Sequence, residues 1–117
     1  MDIFETVDID TGTFKYIQVH VEKEGEEPVI LIRGYTDCAY HADILSRFQM
    51  KEIYEKGLVE YESSCPGGGR IKHDEEAKTI EVYGYSQGFG KADHEVTTAK
   101  LKDKYPDYEI TWSDEGY

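Results

Sequence analysis

The sequence predicts a mixed α/β domain of the α+β type, and three stretches carry that expectation. Residues 13–22 alternate, with Lys15, Ile17, Val19 and Val21 on one face and Phe14, Tyr16, Gln18 and His20 on the other. A period of two is that of a strand. Val29-Ile30-Leu31-Ile32 is an unbroken apolar run, as expected of a central strand covered on both faces. Residues 37–56 place Ile44, Leu45 and Phe48 where a helix would form one buried stripe.

The remaining elements follow in order. Lys23-Glu24-Gly25-Glu26-Glu27-Pro28 is the turn between the first two strands. Beyond Arg33-Gly34-Tyr35, Asp37 is expected to cap the first helix, which ends at Gly57. Residues 58–62 read as a strand leading into a glycine loop, Cys65-Pro66-Gly67-Gly68-Gly69. Residues 70–73 and 78–86 form a hairpin around Asp74-Glu75-Glu76-Ala77, and Gly88-Phe89-Gly90 is a second flexible loop. A second helix covers residues 93–104, with Ala92, Val96 and Ala99 inward, and stops before Pro106. Tyr108, Ile110 and Trp112 alternate in a last strand.

The 117 residues suit one domain, taken as residues 1–117, with a modest core. No apolar run reaches the length of a membrane span, and the acidic start, Met1-Asp2-Ile3-Phe4-Glu5, is unlike a secretory signal. Two dissimilar cysteines, Cys38 and Cys65, give no disulfide framework, so a reduced, cytoplasmic setting is expected. The net charge of −12 repels nucleic acid and anionic membranes at long range. Neither is an expected partner, and a monomer is the default. The same charge leads to the expectation that protein partners dock through basic surfaces.

Several chemistries fail on spacing. Asp10-Thr11-Gly12 has the triplet of aspartic proteases, yet it runs straight into Thr13-Phe14-Lys15 with no flap or second core motif later. A turn accounts for it better. His20, His41, His73 and His94 are scattered, and no Cys-x-x-Cys occurs, so no metal is required. Cysteine-type phosphatases need five residues between thiolate and arginine, whereas Cys65 and Arg70 enclose four. No lysine-serine or lysine-threonine pair directly follows the glycines, which rules out the nucleotide-loop pattern.

A phosphate-sized site without metal remains. It would combine Lys15 and Arg70 with backbone amides from glycine-rich loops and His41 at a helix start. Histidine suits proton or phosphoryl traffic near neutral pH. Taken singly, each residue is as well explained as an exposed strand end, a loop arginine or a helix-start histidine.

Six ordered blocks add a resemblance. Phe14-Lys15-Tyr16, Arg33-Gly34-Tyr35, Tyr40-His41-Ala42-Asp43-Ile44, Gly67-Gly68-Gly69-Arg70-Ile71, Val82-Tyr83-Gly84-Tyr85-Ser86 and Lys104-Tyr105-Pro106-Asp107-Tyr108-Glu109 occur from Asp8 onwards. The chain resembles the Janus/Ocnus family of small phosphohistidine phosphatases, and its closing Thr111-Trp112 and Gly116-Tyr117 match as well. The resemblance implies a mixed six-stranded sheet with two packed helices. It implies a hydrolase without metal or cofactor that removes phosphate from phosphohistidine in proteins and peptides. It makes His41 the catalytic residue, as general base or transient nucleophile. Lys15, Ala42, Arg70, Ser86, Gln87 and Gly88 become the substrate-binding residues, although Gln87 and Gly88 depart from the family pattern. It also implies an alternative, a non-catalytic phosphoprotein-binding regulator of development, because a fold can keep its pocket without turnover.

Overall fold

The computed structural model describes residues 3–114. One six-stranded mixed sheet is built from β1 (Val7–Ile9), β2 (Gly12–Glu22), β3 (Val29–Gly34), β4 (Glu62–Asp74), β5 (Thr79–Tyr83) and β6 (Glu109–Trp112), in the order β1-β3-β2-β4-β5-β6. The central pairs β3-β2, β2-β4 and β4-β5 are antiparallel, and the outer strands β1 and β6 join in parallel. Two α-helices pack on the sheet: α1 (His41–Phe48), which runs on as a π-helical stretch (Gln49–Tyr54), and α2 (His94–Lys104).

The alternation in β2 holds, and it feeds two cores. Phe14 and Tyr16 join Ile32, Ile71, Ile80 and Leu101 on the α2 face. Ile17 and Val19 join Leu31, Ile44, Phe48 and Ile53 on the α1 face. Burying a side chain such as Ile44 or Phe48 contributes about 2 kcal/mol. Arg33 is fully buried among them on the α1 face. Its guanidinium donates to both oxygens of Glu52 at 2.8 Å and to the Ile32 carbonyl at 2.9 Å, which fastens the π stretch to β3.

Four local expectations are corrected. The helix starts at His41, not near Asp37: Tyr40 is the extended cap residue, and the Asp43 carboxylate accepts from the Tyr40 amide at 3.1 Å. Asp37 instead accepts from Arg47 at 2.9 Å. Residues 58–61 are not strand but a turn closed by the Tyr61 amide on the Leu58 carbonyl, and the strand begins only at Glu62. The inward face of α2 is His94, Thr97, Thr98 and Leu101, whereas Val96 and Ala99 are exposed. Polar groups line that face because the sheet beneath presents Tyr16 and Gln18, which bond to His94 and Thr97.

The fourth correction matters most for function. Gly67-Gly68-Gly69 is not a loop but the buried middle of β4, paired with Gln18, Ile17 and Tyr16. Glycine inside a strand marks a close approach from outside the sheet, and three such approaches occur here. A Cβ on Gly67 would stand 2.7 Å from the Ala92 amide nitrogen, one on Gly68 2.8 Å from His41 Cδ2, and one on Gly69 2.7 Å from His94 Cε1.

Candidate active site

His41 is the first residue of α1, and its ring rests on the α1 face of Gly68. Its Nε2 lies 2.9 Å from the Gly69 carbonyl oxygen. A carbonyl only accepts, so Nε2 carries the proton and donates, which leaves the lone pair on Nδ1. Burial holds the His41 pKa below its ordinary value of 6.5; the bond to Gly69 opposes that shift, and the charges of Lys15 and Arg70 reinforce it. The neutral ring with a basic Nδ1 is therefore the form favoured at neutral pH.

Lys15 and Arg70 stand opposite each other in the β2–β4 register. Both point to the face that carries Ile17 and Gly68, because side chains two apart in a strand share a side. The sheet thus brings Lys15, Arg70 and His41 together. Ala42 lies exposed in the first turn of α1, where backbone amides have no preceding helical carbonyl to bond.

The turn at residues 86–90 is tied to the same glycine. The Gly68 amide donates to the Gly90 carbonyl at 3.0 Å, and the Ala92 amide donates to the Gly68 carbonyl at 3.0 Å. Ser86 is buried, and its hydroxyl accepts from the Phe89 amide at 3.1 Å, closing the turn. Gln87 and Gly88 at its tip are exposed. Ser86 is committed within its own turn, so of the three loop residues Gln87 and Gly88 are the ones that face solvent.

A second histidine mirrors the first. His94 lies on the α2 face of Gly69, with Nε2 donating to the Gly84 carbonyl at 2.8 Å and Nδ1 2.6 Å from the Tyr16 hydroxyl. Nδ1 accepts there, since its partner nitrogen holds the ring's proton. Thr97 and Gln18 continue the chain at 3.0 and 2.9 Å. Burial pushes the Tyr16 hydroxyl pKa well up and holds that of His94 down. Local spacing carries no sign of this network, since its bonded partners lie 78 to 81 residues apart.

Cys65 lies on the strand before the glycines, where burial pushes its thiol pKa up to about 11 and Sγ donates to the Gly67 carbonyl at 3.3 Å. It is a thiol at neutral pH and a poor nucleophile. Among the described residues, no three His, Cys, Asp or Glu side chains are grouped to hold a metal ion. A cleft of about 350 Å³ lies elsewhere, between Phe4, Val21, Leu31 and Tyr61.

Fold and site together define a class: a small α+β protein that seats a neutral histidine on a glycine strand beside a lysine–arginine pair. The chain belongs to the Janus/Ocnus family, whose sequence profile matches residues 1–109. It is 52% identical to the sex-regulated protein janus-A of Drosophila melanogaster, over 91% of this chain and 76% of that one. It is 44% identical to the 14 kDa phosphohistidine phosphatase of Sus scrofa, over 95% of this chain and 90% of that one. Among the described residues no helix is long and apolar enough to cross a membrane.

Proposed function

We propose that the protein is a phosphohistidine phosphatase that needs no metal and hydrolyses the P–N bond of phosphohistidine in proteins and peptides. One observation carries the proposal: the bond from His41 Nε2 to Gly69 leaves Nδ1 as a lone-pair nitrogen beside two cations. The likeness to the pig phosphohistidine phosphatase supports the substrate class.

Lys15 and Arg70 hold the phosphoryl oxygens, Arg70 through its planar fork and Lys15 as a point charge. The Ala42 amide and the turn carrying Ser86, Gln87 and Gly88 complete the cradle. The leaving group is an imidazole, so catalysis is mainly orientation and charge stabilisation. As water attacks phosphorus, the P–N bond breaks and its electron pair leaves on the substrate imidazole, which takes up a proton. His41 Nδ1 receives the proton from water. Alternatively, Nδ1 itself attacks phosphorus, and water then releases phosphate from His41. Both routes use the same atom. The bound dianion raises the His41 pKa, against the effect of burial and the two cations. The enzyme acts as a monomer in the cytoplasm.

A second function has its own support. The janus-A relatives are named for regulation by sex rather than for catalysis. A phosphoprotein-binding regulator would use the same cations without turnover.

The test is phosphate release from a phosphohistidine peptide in the presence of chelator, for the wild type and His41→Ala. Chelator-resistant turnover that the variant loses supports the phosphatase. Equal rates remove His41 from the mechanism. Tight peptide binding without turnover in either protein favours the regulator.

A further inference from the structure

The helices leave part of the sheet uncovered beside His41. On the α1 side, register places two rows of side chains there, the first half-buried and the second exposed. Nearest to His41 run Lys15, Arg70 and Tyr83. The next row is Thr13, Lys72, Glu81 and Thr111, all exposed. A third row, Asp74, Thr79 and Glu109, closes the face at the hairpin end.

Charge along this ramp is ordered. The first two rows hold three cations, Lys15, Arg70 and Lys72, and one carboxylate, Glu81. The whole chain has 13 basic against 25 acidic residues, so the ramp reverses the protein's balance. The third row is acidic again. Lys72 and Glu81 stand opposite each other but share no ion pair among the described residues.

We infer that this ramp is the docking surface for the chain carrying the phosphohistidine, and that Lys72 selects a carboxylate two residues away from it. The inference rests on the phosphatase proposal and adds the specificity of that site. Rows on a sheet lie roughly 7 Å apart along a strand, which is also the advance of an extended peptide over two residues. With the phosphohistidine over Lys15 and Arg70, its second neighbour lies over Lys72 and its fourth over Asp74. A carboxylate therefore gains at two positions and loses at four. The protein's net charge favours basic partners overall, while the surface at the site favours an acidic group next to the reacting residue.

The experiment compares three phosphohistidine peptides in otherwise neutral sequences: Asp two residues to either side, Asp four residues to either side, and Ser throughout. The wild type is expected to favour the first over the third by roughly two- to fivefold in kcat/KM, the scale of one exposed ion pair, and to gain nothing from the second. Lys72→Glu is expected to turn the first preference below one. Because each ratio is taken within one protein, loss of folded enzyme does not mimic the effect. Free phosphohistidine hydrolysed at the usual rate with no discrimination among the peptides, or a Lys72→Glu ratio equal to the wild type's, overturns the docking surface and leaves the phosphatase standing. No turnover of any phosphohistidine probe overturns the phosphatase proposal and the docking surface with it.

Discussion

His41 and Gly68 compete for one volume: the imidazole occupies the space that any side chain on residue 68 would fill, with Cδ2 2.8 Å from where a Cβ would stand. The strand has little freedom to withdraw. The same Cβ would meet the Tyr16 carbonyl at 2.6 Å, and the Gly68 backbone is bonded to Gly90 and Ala92.

Gly68→Ala is therefore expected to displace His41 and to strain the β2–β4 pairing at Tyr16 as well. A reacting group misplaced by about 1 Å costs on the order of 100-fold in rate, and overpacking costs about 1–3 kcal/mol in stability. Steady-state hydrolysis of a phosphohistidine peptide, with a denaturant melt of the same sample, separates the two effects. Full activity in the variant would show that the glycine does not seat the histidine.

The neutral state of His41 can be read directly. Its imidazole resonances, followed by NMR through a pH titration, are expected to move at a midpoint below 6.5, with Nε2 protonated throughout and Nδ1 the titrating nitrogen. Lys15→Gln removes one of the charges that depress the pKa, so its midpoint is expected to rise. Inorganic phosphate is expected to raise it as well, by favouring the imidazolium. A midpoint above 6.5 in the free protein would contradict the assignment of Nδ1 as a ready base.

What the sequence made legible follows the hydrophobic effect. The alternation through Phe14, Tyr16, Ile17 and Val19 shows which residues share a face, because both faces of β2 are buried largely with apolar groups. The inward face of α2 was not legible, since His94, Thr97 and Thr98 are buried through hydrogen bonds to distant partners rather than by apolar periodicity. The glycines misled for a similar reason. Flexibility is their common local meaning, whereas here Gly67, Gly68 and Gly69 clear space for Ala92, His41 and His94, which lie 25 to 27 positions away on the chain. His41, Lys15 and Arg70 were legible as candidates, and their convergence is a fact of register.

The buried ion pair under the π stretch sets another expectation. Arg33 is fully buried, and the Glu52 side chain is 16% exposed. Glu52→Ala leaves a buried guanidinium without its counter-charge, which costs about 3–5 kcal/mol. Arg33→Met removes the charge and keeps much of the packing against Phe48, so it is expected to cost less. Chemical denaturation of both variants checks the order. The reverse order would mean that Arg33 contributes mainly through packing.

Stability is expected to fall with acid in a window set by His41 and His94. Both are held below their ordinary pKa of 6.5, chiefly by burial. Above 6.5 both are neutral in the folded and unfolded chains, and they add no pH dependence. As pH falls through 6.5 the unfolded chain takes up protons that the folded protein refuses, so unfolding becomes easier until each folded pKa is reached. Within the window each residue adds at most about 1.4 kcal/mol per pH unit. The lowered carboxyls of Asp37 and Asp107 act only below their ordinary 3.8, so the two ranges separate. Urea melts from pH 8 to pH 5 are expected to show a plateau and then a decline, and His41→Ala is expected to lose its share of the slope. A flat profile through pH 5 would mean that both imidazoles protonate without cost in the folded protein, which contradicts the burial that holds His41 neutral on Gly68.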